Sequence, residues 1–421
     1  MRIQLFIILF IFSVLNSCGQ DIEVCSPLFP CSKKLDNPYG ITSHFDSPSR
    51  DYINQSGQLK LMSQAGIGNI RMGIPMNFMA DYVNAKSNLY IDTALNRNQE
   101  YKIEELIVTR CGSYSSGWAW DNLDLYSKAF KYYLNKYGKQ VKQWEIINEF
   151  NLKKNINKDS LPYRYMSILP LAYSMIKKHN KHNFVVLSGI GGNFKKQLDF
   201  SRKLYSLSAC DFFDVFNFHT YSEPENIDTE LKAFASLMKE YGKMKPVWIT
   251  ECGMSTYSKI REQSDKSLEI EQAKRLARIF LISFSYGVDK VFWYELRSNP
   301  RNKGVEREFG LVSGDLIPKP AYTAYSALTK MCPSGSLRPK LCSLGTFYLA
   351  EWRKPDKTNV WAVWNATGIS RKQDVEIIGK ARYFDYLGRE MSNISEIDDR
   401  VVYIVGAKSV RIKQSSGLLG N

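Results

Sequence analysis

The octapeptide WEIINEFN, Trp144 to Asn151, ends an apolar run on an adjacent amide and carboxylate. Two readings compete for Asn148 and Glu149. They open a helix, since asparagine caps well and glutamate favours a first turn. Or they stand at the C-terminal end of a buried strand, where a parallel α/β barrel carries its chemistry. The flanking sequence has to supply the other strands for the second reading to hold.

It does so on both sides. From about residue 38, short β-branched or aromatic runs alternate with longer amphipathic segments, the pattern of βα units around a parallel sheet. The expected strands are YGITSHF (39–45), GNIRMGI (68–74), LIVTRCG (106–112), VKQWEIINE (141–149), FVVLSGI (184–190), FFDVFNFHTYS (212–222), PVWITECG (246–253) and DKVFWYELRS (289–298). Helices are expected at 51–64, at LDLYSKAFKYYLNKYG, at LPYRYMSILPLAYSMIKKHN and after each later strand, the last at KPAYTAYSALTKM. Residues 76–105 show no long apolar stripe, and a short helix is the most that can be read there.

Eight such units favour an α/β fold of the (β/α)8 TIM-barrel type over 38–330, rather than a doubly wound sheet. After Cys332 the pattern changes to period-two runs such as TFYLAEWRK and NVWAVWNAT, which predict a small C-terminal antiparallel β-sandwich over 331–421. Residues 19–37 are a linker or an accessory strand of that sandwich.

The N-terminus places Arg2 before an apolar segment, Leu5 to Leu15, too short for a comfortable bilayer span, and reads as an export signal over 1–18. Leu15, Asn16, Ser17 and Cys18 followed by Gly19 resemble the lipobox of bacterial lipoproteins, in which the cysteine becomes a lipid-modified terminus; plain secretion with Cys18 incidental is the other reading. The expected location is the bacterial cell envelope, lipid-anchored at the outer membrane, or the medium. Export permits disulfides, and Cys25 with Cys31 and Cys332 with Cys342, flanking short loops, are the pairs to expect. No CxxC spacing occurs and the four histidines are scattered, so neither a zinc site nor a cofactor is expected. The net charge of +15 fits an acidic partner or a lysine-rich solvated surface, the latter being the more ordinary. The basic residues are spread through stretches such as NLKKNINK and MIKKHNKHN with no nucleic-acid-binding motif, and a monomer is expected.

In a TIM barrel all strands point into one loop-lined mouth, so the residues at their ends carry the chemistry. The fourth strand ends on Asn148 and Glu149, the seventh on Glu251, the sixth on His219 and Tyr221, and the second carries Arg71. Each has an ordinary alternative: a cap for Asn148 and Glu149, a loop carboxylate for Glu251, a satisfied core histidine, a structural ion pair for Arg71, core filling for Trp293. Their ordered fall at the ends of separate strands weighs against all of these together. Two carboxylates across one mouth suit glycosidic cleavage, where one acid protonates the leaving oxygen and one carboxylate meets the charge developing at the anomeric carbon.

On these residues the chain resembles glycoside hydrolase clan A, the retaining (β/α)8 glycosidases, over 38–330. The SHF, EIEQAKRLAR and FGLVSGDLIPKPAY stretches look most like family 39. The resemblance implies Glu149 as acid/base, Glu251 as nucleophile, Asn148 on the sugar 2-hydroxyl, and Arg71 and Tyr221 holding Glu251 ionised. It further implies that His219 and His44 line the sugar subsite and that Trp293 forms the stacking platform. Trp118 and Trp120 are a further subsite or packing, and Glu295 is a third carboxylate open to being mistaken for a partner. The expected activity is retaining hydrolysis of β-glycosidic bonds in oligo- or polysaccharides. A surface glycan-binding lipoprotein that keeps the barrel without turnover is the alternative.

Overall fold

The computed structural model describes residues 23–45, 54–74, 85–109, 118–154, 156–369, 371–372 and 375–412. Cys18 and Cys111 lie outside them. Eight parallel strands form one sheet: β1 Tyr39–Thr42, β2 Asn69–Ile74, β3 Glu104–Thr109, β4 Gln143–Ile146, β5 Phe184–Val186, β6 Phe216–Thr220, β7 Val247–Cys252 and β8 Val288–Trp293. Sequential neighbours pair from β1 to β5, from β6 to β8, and β8 pairs back to β1. Parallel bridges Val186↔Val215 and Ile190↔Phe218 close the cylinder between β5 and β6.

Helices α1 Gln55–Gln64, α2 Ala85–Glu100, α3 Leu123–Tyr137, α4 Leu161–His179, α5 Phe194–Ser206, α6 Ile227–Glu240, α7 Lys266–Ser285 and α8 Pro320–Met331 follow the strands in turn. α2 is longer than the short helix expected there; among its residues whose side chains are described, the buried stripe is thin, Ile91, Ala94 and Leu95 with the polar Asn98. Inside the cylinder Leu106, Val186, Trp248 and Phe292 pack as a small cluster of their own. Gly40 on β1 makes room for it, since a Cβ there would lie 2.3 Å from the Phe292 ring. This plug separates a polar cluster at the N-terminal strand ends, where Lys290 donates to Asn69 and Gln143 to Glu104, from the side chains gathered at the C-terminal strand ends.

The chain after α8 forms an antiparallel sheet that Glu23–Val24 joins by pairing with Lys340–Leu344. Phe347–Arg353, Asn359–Asn365, Val402–Val405 and Arg382–Phe384 continue it, and smaller antiparallel pairs complete the unit. Arg338 fastens it to the barrel, donating to the carbonyls of Phe284 (3.0 Å) and Val288 (2.7 Å) and to Asp289 (2.7 Å).

The expected disulfides do not form: Cys25, Cys31, Cys332 and Cys342 are all free thiols. The packing directs them elsewhere. Cys25 donates to the Tyr286 hydroxyl (3.1 Å), Cys31 packs at Gly287, Cys332 is buried at the end of α8, and Cys342 sits mid-strand opposite Leu349. No helix among the described residues is long and apolar enough to cross a membrane.

Candidate active site

β4 stops at Ile146 and the backbone then twists through Ile147 (φ 67°) and Glu149 (φ 46°), both in the left-handed region that a β-branched or bulky side chain seldom adopts. Neighbouring strands hold the twist. The Ile147 amide donates to Thr109 Oγ1 (3.2 Å), that of Glu149 to the Gly189 carbonyl (3.1 Å) and that of Phe150 to Ser188 Oγ (3.1 Å). A short 3-10 turn, Phe150–Leu152, follows with Glu149 in the capping position, yet the Glu149 side chain makes no capping bond. It turns to His219, whose Nδ1 lies 3.1 Å from Glu149 Oε1. The capping reading therefore fails for Glu149, and backbone strain of this kind is characteristic of sites that need a side chain aimed.

Glu251, near the end of β7, is held from two sides. Arg71 Nη1 donates to its Oε1 at 2.5 Å and Tyr221 Oη to its Oε2 at 2.9 Å, while His219 Nδ1 stands 3.4 Å from Oε2. Burial alone would raise its pKa. The positive potential of His219 and Arg71 and the bonds from Tyr221 and Arg71 outweigh that, and the carboxyl is held below its ordinary value. Arg71 is fixed in turn by Glu145, which takes Nε (2.8 Å) and Nη2 (2.7 Å) in a bidentate pair, and by Asn148 Oδ1 (2.6 Å to Nη2). Burial opposes the guanidinium charge, but Glu145 and Glu251 prevail and hold its pKa above the ordinary value.

Two glycines make the room. A Cβ on Gly191 would fall 2.1 Å from Glu149 Oε1, and one on Gly189 2.0 Å from His219 Nε2. The SGIGG run after β5 is thus shaped to the carboxylate and imidazole that lean over it. Gly191→Ala is expected to lower kcat/KM about 100-fold, the usual cost of displacing a catalytic group by an ångström, with little change in the unfolding midpoint. Wild-type kinetics from that variant would show that the close approach is incidental.

The donor atoms of Glu149, His219 and Glu251 lie within 4.8 Å of one another, so geometry alone would admit a metal ion. The charges argue against one, because Arg71 already occupies an oxygen of Glu251 and would repel a second cation.

Of the residues expected at the site, Arg71, Asn148, Glu149, His219, Tyr221 and Glu251 come together. His219 is buried at 1% exposure beneath both carboxylates, with Thr250 Oγ1 3.1 Å from its Nε2, so it positions them and does not face a sugar. His44 lies at the end of β1 at ion-pair distance from Glu295 (3.1 Å), which accounts for that third carboxylate. Trp293 is a correction: it is fully buried, part of the core, and cannot serve as a stacking platform. Successive residues of a strand face opposite ways, and the ring at the mouth is the next one, Tyr294. It packs edge-on against His44 and Phe309, and Phe309 in turn against Tyr221. Trp118 stacks on Trp120 (centroids 4.7 Å apart), and Trp120 meets Phe150 edge-on, so the pair flanks the β4 end. Glu145, Thr250 and Tyr294 were not singled out in the sequence. Glu145 had a usable signal, a charge in the middle of an otherwise buried strand, costly unless paired.

The barrel thus carries an Arg-buttressed carboxylate pair at the ends of its fourth and seventh strands, an arrangement that can supply both an acid and a nucleophile. Residues 176–321, from α4 through β8 into the start of α8, match the family model described as glycosyl hydrolase catalytic core, a span that contains Glu251 and stops short of Glu149. Among solved structures the chain is similar to a family 39 glycoside hydrolase from Bacteroides cellulosilyticus WH2 (TM-score 0.71, 21% identity, covering 89% of this chain and 81% of that one). It is also similar to a family 39 β-xylosidase from Caulobacter crescentus (0.59, 12%, 93% and 99%) and a family 30 endoxylanase from Clostridium papyrosolvens C71 (0.61, 12%, 91% and 100%). At these identities the structural likeness concerns the fold, which is that of the clan the sequence resembles. No curated protein matches.

Proposed function

We propose that the protein is an exported, lipid-anchored retaining glycosidase that cleaves β-glycosidic bonds by double displacement. The observation that carries the mechanism is the approach of the two carboxylates, whose nearest oxygens lie within 4.8 Å. A retaining pair stands about 5–5.5 Å apart, whereas an inverting pair needs about 6.5–9.5 Å to admit a water.

In the first step Glu149 gives its proton to the glycosidic oxygen as Glu251 attacks the anomeric carbon; the C–O bond to the leaving group breaks and a glycosyl ester forms. In the second, Glu149 takes a proton from water, the oxygen bonds to the anomeric carbon, and the ester releases Glu251 as a carboxylate. Asn148, its Oδ1 held by Arg71, has its Nδ2 left for the 2-hydroxyl. Tyr294 offers the C–H face of the sugar a ring, and Trp118 extends the surface. Tyr294→Ala is expected to raise KM about tenfold with a smaller effect on kcat, which steady-state kinetics separate.

Turnover requires ionised Glu251, so its depressed pKa sets how far activity survives into acid. Tyr221→Phe removes one donor, raises that pKa, and is expected to move the acid limb of kcat/KM to higher pH. An unmoved limb would show that Glu251 is not the group that titrates there. A screen of nitrophenyl glycosides and of plant, algal and host polysaccharides tests the activity itself; no hydrolysis of any would count against it. Mass spectrometry of the mature N-terminus tests the anchor, with diacylglycerol on Cys18 expected and an unmodified or distally cleaved chain contradicting it.

A further inference from the structure

A groove of about 990 Å3 opens on the shoulder of the barrel, between the segment following β4, the first turn of α4 and one side of α5 from Lys196 to Lys203. Lys153, Lys154, Lys158, Lys196 and Lys203 all line it. Among the described residues no carboxylate comes within ion-pair distance of any of these ammonium groups, and the two aspartates in the wall, Asp159 and Asp199, leave the charge strongly positive. The same wall exposes apolar surface: Leu152 is 40% and Tyr163 53% exposed, and the Lys203 ammonium lies 5.0 Å from the Tyr163 ring centroid.

The groove adjoins the catalytic acid. Its near wall is Asn151 and Leu152; the Leu152 amide donates to the Glu149 carbonyl (3.0 Å), and the Asn151 side chain bonds Gly191 in both directions (2.8 and 3.2 Å), the glycine that Glu149 leans over. A general acid for glycoside cleavage stands on the side of the departing oxygen. The ring and aliphatic surface suit the C–H faces of a sugar, and the lysines suit an anionic substituent.

We propose that this groove binds an anionic sugar unit, one bearing sulfate or carboxylate, on the leaving-group side of the scissile bond. This rests on the glycosidase reading of Glu149 and Glu251, and it makes the substrate an acidic glycan. The lysines supply affinity and attraction at long range, so binding is steeply salt-dependent.

The test uses the full chain carrying Glu251→Gln, which leaves the groove intact and stops turnover, in isothermal titrations with four probes: a sulfated galactan tetrasaccharide, a galacturonate tetrasaccharide, cellotetraose and a short single-stranded oligonucleotide. At low salt at least one anionic tetrasaccharide is expected to bind about tenfold or more tightly than cellotetraose, with the advantage lost near 0.5 M NaCl. Which of the two binds separates sulfate from carboxylate. Adding Lys196→Gln and Lys203→Gln, or Lys153→Gln and Lys154→Gln, is expected to remove most of the preference while thermal unfolding stays unchanged. Equal affinity for charged and neutral tetrasaccharides, or a preference indifferent to the lysines, overturns the proposal. So does an oligonucleotide that binds as tightly as the best sugar, which would assign the groove to nucleic acid. Hydrolysis of neutral glycosides by the wild type without anion binding defeats the groove alone; anion binding without turnover of any glycoside defeats the glycosidase reading alone.

Discussion

Glu251→Ala is expected to lower kcat by about 10^4-fold or more, because it removes the carboxylate assigned to attack the anomeric carbon. Glu295 is the nearest distraction, but it is tied to His44 at the end of β1. Glu149→Gln should behave differently. An aryl glycoside with a good leaving group scarcely needs a proton, so the first step survives, the glycosyl ester accumulates and steady-state turnover slows. A glycan with an ordinary sugar leaving group should lose about 10^2–10^4-fold at that first step. Pre-steady-state bursts on activated and unactivated substrates distinguish the two variants. Near-full activity of either on a natural glycan would remove that residue from its assigned role.

Arg71→Met carries the largest expected effect on stability. Arg71 is the cation between two buried carboxylates, Glu145 at 0% and Glu251 at 8% exposure, and its loss removes the charge that bridges them. Breaking such a pair from one side costs about 3–5 kcal/mol. The neighbouring pKa follows the same logic: without the guanidinium Glu251 rises, so stability is lost as pH increases through the range where a buried carboxylate must ionise, while any residual activity, which needs the ionised form, is confined to higher pH than in the wild type. Glu145→Gln added to Arg71→Met removes one stranded charge and should recover part of the stability without recovering turnover. Urea unfolding at several pH values checks this. A variant as stable as the wild type at neutral pH would mean that the Glu145–Arg71–Glu251 chain is less buried than its geometry indicates.

The barrel was legible because each strand writes an apolar run and each helix a stripe, and the order of strand ends then gathered Arg71, Asn148, Glu149, His219, Tyr221 and Glu251 without knowledge of a single distance. The failures have physical causes. Trp293 and Tyr294 are one residue apart, and a strand's period of two turns that into opposite faces, so an aromatic pair at a strand end cannot be assigned by composition. Glu145 sits inside the same octapeptide as Glu149, and its mid-strand position is the sign of a buried partner, whereas a carboxylate at a strand end draws the eye to chemistry. Cysteine spacing says nothing of side-chain direction, and the thiols point into separate contacts. The lysines of NLKKNINK read as dispersed charge, and only the fold places them beside Lys196 and Lys203 in one wall.

The mechanism itself is tested most directly by the anomer first released. Hydrolysis of a nitrophenyl β-glycoside found in the screen, followed by proton NMR from the first minute, is expected to show the β-anomeric signal first, with the α-anomer growing in only by mutarotation. An initial α-anomer would mean that water attacks directly, that Glu251 is a base and not a nucleophile, and that the double displacement proposed for this site is wrong.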